Sequence, residues 1–267
     1  MRNKSKQAYF SLLKHLDAIH AEYNPDWPPL IPRVLSVDME KGCILAFKQY
    51  FYEKHGVEIQ VRLCSFHIKQ AIKRFLESEW KNVPKLQKLK HRIFRLCCAM
   101  VFSPFQTNPM LRSRFCALLT DETATSNSKA RAAVANLVKF LQSNYLVLHD
   151  DQSFKCIANW NYFNDILSGE VDTTNNCSET VNRKFNHEIK LGFKSFKKVA
   201  ISIYNNKKNY LDKMHETVKK NRFRKRPLPL RRKMAKREDI CFQYSQIEPE
   251  EQVLLYKQFL LDICEQL

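Results

Sequence analysis

Seven residues, Val57-Glu58-Ile59-Gln60-Val61-Arg62-Leu63, alternate apolar and polar side chains without a break. From Ser65 the apolar period lengthens to that of a helix, with Ile68, Ala71, Ile72, Phe75 and Leu76 on one face. A period of two belongs to a half-buried strand and a period of 3.6 to a helix lying on it, so this stretch predicts a strand feeding directly into a helix. A similar pair stands upstream. The apolar run Val34-Leu35-Ser36-Val37 follows Pro32, which favours extended backbone, and residues 40–53 place Ile44, Phe47 and Phe51 on one helical side. Residues 5–23 precede it with Ala8, Leu12, Leu13, Leu16 and Ile19 at helical spacing, ended by the Pro-rich stretch 24–32. The order helix, strand, helix, strand, helix is the pattern of an α/β layer.

Beyond it the pattern is almost wholly helical. Residues 86–102, 109–119 and 129–148 read as three helices joined by polar turns, and with only 4 Gly in the chain little interrupts them. Further helices are expected at 176–187 and 194–220. Between 219 and 237 stand eleven Lys or Arg and no acid. Pro227 and Pro229 argue against one continuous helix there, so an extended basic arm is expected. The last thirty residues turn acidic and end in an amphipathic helix carrying Val253, Leu254, Phe259, Leu260 and Ile263.

The balance of 45 Lys+Arg against 27 Asp+Glu, a formal charge of +18, calls for a polyanionic partner. A hydrophobic content of 44% excludes a disordered basic tail, because it supplies a core. No run approaches the ~20 apolar residues of a membrane span, so no membrane partner is expected. The cysteines are 9 in number, irregularly spaced and follow no signal peptide, which reads as reduced thiols inside a cell.

Three segments carry possible chemistry. Asp38 ends the apolar run 34–37; it can be a ligand for a hard cation or the N-cap of the next helix. Glu179 follows Asn176 at the spacing of a capping box, yet shares a helical face with Asn182, Arg183 and Asn186, so it can both open a helix and face a site. Cys64 and His67 stand at a zinc-ligand spacing, but a structural zinc needs four ligands and no second pair appears, His91 with Cys97 or Cys98 being a poor complement. Zinc is therefore not expected. A buried thiol and a histidine bonded to backbone, phosphate or an acid is the commoner arrangement.

Together these segments resemble the Mutator-like (MULE) transposase family over about Lys6 to Asn206. The resemblance rests on Val34-Leu35-Ser36-Val37-Asp38-Met39-Glu40, on the Cys-x-x-His of Cys64-Ser65-Phe66-His67, and on Thr174-Asn175-Asn176-Cys177-Ser178-Glu179. It implies an RNase H-like catalytic domain whose Asp, Asp and Glu hold Mg²⁺ or Mn²⁺, with Asp38 and Glu179 as the second and third acids, and a helical insertion between Cys-x-x-His and the Glu. The family's first Asp lies on an opening strand ahead of the helix that corresponds to 5–23. Asp17, inside a helical pattern, and Asp26, in a Pro-rich turn, do not replace it.

The expected architecture is α/β, a partial RNase H-like fold with an incomplete sheet and a large all-helical insertion. Residues 1–80 form the first part of the core, 81–160 the insertion, 161–215 the last part of the core with the Glu-bearing helix, 216–240 the basic arm and 241–267 the acidic C-terminal helix. The expected function is that of a transposase-derived nuclear protein that binds DNA, possesses a partial strand-transfer site and is inactive as written. The alternative is a non-catalytic nucleic-acid-binding module of transposon origin. Expected nucleic-acid contacts are Cys64, His67, Arg222, Arg224, Lys225, Arg226, Arg231, Arg232 and Lys233, the two basic clusters serving equally as a nuclear localisation signal. A homo-oligomer fits the same resemblance.

Overall fold

A computed structural model describes residues 5–23, 26, 31–32, 34–38, 40–82, 86–146, 157–168 and 228–267. The chain divides into two units, Met1–Thr174 with Lys233–Leu267, and Asn175–Arg232. Of the second, the described residues are 228–232. Glu179, the expected helices at 176–187 and 194–220, and Arg222, Arg224, Lys225 and Arg226 lie outside the described residues.

The first unit begins as the alternation of periods demands. Helix α1 (Lys6–Tyr23) precedes strand β1 (Val34–Val37), α2 (Lys41–His55), β2 (Gln60–Leu63) and α3 (Ser65–Glu79). The two strands run parallel, Val34 opposite Gln60 and Val37 opposite Leu63. The strand expected at 57–63 is thus shorter: β1 is four residues long, and Val57 to Ile59 extend past its end. Gly56 ends α2 with φ of 65°, a left-handed conformation that any side chain would strain. The described residues are mostly helical with a small two-stranded parallel sheet, compatible with a mixed α/β class.

The main core gathers Val61 and Leu63 of β2 and Ile68, Ile72 and Leu76 of α3. Onto these pack α4 (Gln87–Ala99), α5 (Met110–Asp121) and α6 (Ser128–Leu141), close to the boundaries expected from periodicity. Asn127 caps α6 by accepting the Ala130 N–H at 2.9 Å. The short helices α7 (Ile157–Trp160) and α8 (Phe163–Leu167) follow, then α9 (Leu228–Ser245) and α10 (Pro249–Glu265).

Helix α10 docks on α4 and α5, so the acidic C-terminus completes the same core as the sheet. Tyr256, Phe259, Leu260 and Ile263 are buried, whereas Leu254, expected on that face, is 76% exposed. Glu122 holds the arrangement from the rim, accepting Arg92 of α4 at 2.8 Å and Lys257 of α10 at 3.5 Å. Helix α9 overturns part of the expected extended arm. Pro229 stands in the first turn of α9, where a missing N–H breaks no helical bond, rather than in its interior; Pro227 lies outside the described residues.

A satellite cluster joins α1 to α2 through Leu13, Tyr50, Phe51 and Ile59, flanked by Phe10 and Phe47, with a Lys54–Asp17 ion pair across the helices. The apolar face expected for α1 is buried only at Leu13. Leu12, Leu16 and Ile19 are exposed, because α2 meets the neighbouring face that carries Phe10 and Leu13.

One nearly buried ion pair fastens the sheet to the rest of the unit. Arg62 of β2 grips Asp165 of α8 with two bonds, Nε–Oδ2 at 2.7 Å and a terminal nitrogen to Oδ1 at 2.5 Å. Removing one partner strands the other in a dry environment at a cost of about 3 kcal/mol, while replacing both by apolar residues costs far less. Urea unfolding of Asp165→Leu and of the Arg62→Met/Asp165→Leu double variant checks this. A single variant within about 0.5 kcal/mol of the parent would show the pair to be unimportant.

Candidate acidic site at the end of strand one

The carbonyl of Val37, the last residue of β1, accepts the N–H of Cys64 at 2.8 Å. This bond carries the ladder one step past Leu63, to the point where β2 becomes α3. Two short segments thereby open side by side: Asp38 leaves β1 as His67 enters the first turn of α3. His67 Nδ1 lies 2.9 Å from Asp38 Oδ1.

The capping role considered for Asp38 is not the one found. The N-cap of α2 is Glu40, which makes no side-chain cap bond. Asp38 lies two residues upstream, where its carbonyl accepts the Glu40 N–H at 2.7 Å and its carboxylate reaches across to His67. The Asp38 side chain is 48% exposed and that of His67 is 29% exposed, so both are open to an incoming group. The approach sets an imidazole nitrogen against a carboxylate oxygen at the end of β1.

Cys64 behaves differently. It is fully buried as the N-cap of α3, and its amide holds Val37. Its thiol is buried, and its backbone amide is what ties β1 to the start of α3. The seven described cysteines are all free thiols.

Two residues that the sequence did not single out stand beside Asp38 and Glu40. Tyr9 of α1 hydrogen-bonds Glu40, and burial first, then Glu40, pushes its hydroxyl up to about 12. Cys43, in the first turn of α2, is pushed up to about 11, by burial first and then by Glu40 and Asp38. The site is thus an electronegative corner where α1, β1 and α2 meet, with one imidazole facing it. The acid Glu40 was legible as part of Asp38-Met39-Glu40; Tyr9 and Cys43 had no signal of their own.

Asp38 offers oxygen to a hard cation, the donor type that Mg²⁺ and Mn²⁺ select. Among the described residues, no three His, Cys, Asp or Glu side chains form a metal-holding group. Arg231, Arg232 and Lys233 occupy the first turns of α9 and are exposed. No helix among the described residues is long and apolar enough to cross a membrane.

The Cys43 environment has a measurable consequence. A thiol near 11 rather than 9 carries about a hundredfold less thiolate at pH 8, so alkylation of Cys43 by iodoacetamide should be slow and rise about tenfold per pH unit up to about pH 11. Asp38→Asn and Glu40→Gln should each speed it. Mass-spectrometric labelling rates report this, and a rate at pH 8 equal to that of an ordinary exposed thiol would contradict the site as described.

Comparisons with protein families, with curated proteins and with solved structures return no match for this chain.

Proposed function

We propose that the chain is a Mutator-like transposase derivative that binds DNA, with Asp38 and Glu179 as the second and third acids of a metal-dependent strand-transfer site. The observation that carries this reading is the 2.9 Å contact between Asp38 and His67 at the carboxyl end of a parallel strand. Two of the three segments on which the resemblance rests converge there, although all of α2 and β2 lies between them in the chain. The formal charge of +18 and the exposed Arg231, Arg232 and Lys233 supply what a phosphate backbone requires.

Within this reading Asp38 would hold one Mg²⁺ or Mn²⁺, whose chemistry is to activate an attacking oxygen and stabilise a leaving oxygen at a phosphodiester. His67 would orient the Asp38 carboxylate. Binding of DNA is the activity this reading expects, in the nucleus if the two basic clusters direct it there.

Fluorescence anisotropy with a duplex DNA across a salt series tests the binding. Affinity should fall linearly on logarithmic axes, and replacing Arg231, Arg232 and Lys233 by Ala should reduce the slope by about 3, at about 0.9 per phosphate contact. No duplex binding at 50 mM salt would remove the proposal.

A further inference from the structure

Between α3 and α4 lies a groove of about 190 Å³. Its apolar lining is Leu76, which is buried, and Phe94, whose partly buried ring packs against the main core. The polar lining comes from both helices: Lys73 and Glu77 of α3, and Gln87, Lys90 and His91 of α4.

These polar groups differ in whether they are already engaged. Lys73 shares its charge with Glu77, one turn further on, at 3.8 Å. The side chains of Gln87, Lys90 and His91 have no hydrogen-bond or ion-pair partner among the described residues, so their donors are open to a ligand. Gln87 is also the first residue of α4, whose N-cap is Leu86, a side chain that cannot accept a bond, and the first turn carries no acid. The groove thus sits at the positive end of a helix of 13 residues, beside an uncommitted ammonium.

This rim attracts an oxyanion, and the aromatic lining takes a flat apolar ring. A nucleotide carries both. The groove's volume lies below the ~300 Å³ at which sites for drug-sized ligands begin, which leaves room for one ring system rather than an extended ligand. In a duplex the bases are paired and stacked and present no free face, so only an unpaired base can enter. We infer that the groove holds one unpaired nucleotide of a nucleic-acid strand, with the base on Phe94, its edge against the Gln87 amide, and the phosphate on Lys90 and His91. This rests on the DNA-binding reading above and extends it from the backbone of a duplex to the bases of a single strand.

Anisotropy in the full chain compares a labelled oligo-dT with an abasic oligomer of the same length and charge. Stacking of a base on an aromatic side chain is worth about fivefold or more in affinity, so the parent should prefer oligo-dT by at least that factor. Phe94→Leu keeps the lining apolar and should remove most of the preference, while Lys90→Gln should lower the salt slope for both oligomers by about 0.7. Equal affinity of the parent for the two oligomers, or a preference that survives Phe94→Leu, would sink the groove. Duplex binding measured alongside separates the two readings: a chain that holds duplex but shows no base preference loses the groove alone, and one that binds no DNA loses both. A second measurement needs no variant and stands even where Phe94→Leu does not fold. The ring-proton NMR signals of Phe94 and His91 are followed during titration with thymidine monophosphate and with inorganic phosphate at equal ionic strength. The groove requires the Phe94 signals to move with the nucleotide and not with phosphate. An equal response to both marks a bare anion site and overturns the base contact, as does no response. Tighter binding of the mononucleotide than of oligo-dT would make this a free-nucleotide site and overturn the strand assignment.

Discussion

The hydrogen bond from the Cys64 amide to the Val37 carbonyl fixes where everything else in the site can be. A two-stranded parallel sheet of four residues per strand has few ladder bonds, and one more at its carboxyl end decides whether Asp38 and His67 emerge together or apart. With this bond made, the carboxylate and the imidazole meet at 2.9 Å, and Cys64 must be buried, because its amide points into the sheet while its residue starts α3. Leu63, the residue before it, is held from the other direction: its carbonyl accepts the Tyr162 hydroxyl.

So small a sheet is not stable alone and depends on the helices around it. Polar bonds inside the core connect those helices across long stretches of chain. Tyr162 also donates its amide to Val101 at 2.7 Å, Asn161 donates to the Ser103 carbonyl at 2.7 Å, and the Ser103 hydroxyl meets that of Tyr256 at 2.7 Å. A continuous path therefore runs from the end of β2 through α8 and the segment after α4 to α10. At its far end Gln252 donates to the carbonyls of Tyr244 and Ile247, closing the turn between α9 and α10, while the Tyr244 and Phe259 rings stack at 4.1 Å. The C-terminal helix thus contributes to the rigidity of a site to which it provides no residue.

Much of this was legible in the sequence wherever periodicity and burial agree. The change of period at Ser65, the helices at 86–102, 109–119 and 129–148, and the position of Asp38 at a strand end all follow from one-sided burial. The reading failed where burial depends on a distant partner. Leu12, Leu16 and Ile19 share an apolar stripe of α1, yet α2 packs beside it rather than on it, so hydrophobicity alone chose the wrong face. Pro229 falls in the first turn of α9 rather than breaking it, because its position relative to a helix start cannot be read from composition. For the site, Asp38 and His67 were visible as separate motifs. Their contact was not, since a register between strands far apart in sequence sets it, and Tyr9 and Cys43 enter through tertiary packing only.

The function proposed above has Asp38, in the acidic corner beside His67, and Glu179 bind divalent ions together. Paramagnetic broadening by Mn²⁺ in the isotope-labelled protein reads it most directly. The expected result is that amides around residues 38–40, 64–67 and 179 broaden together at the same Mn²⁺ concentration. Broadening at 38 without 179, or a pattern centred on other acids of the chain, would contradict the account.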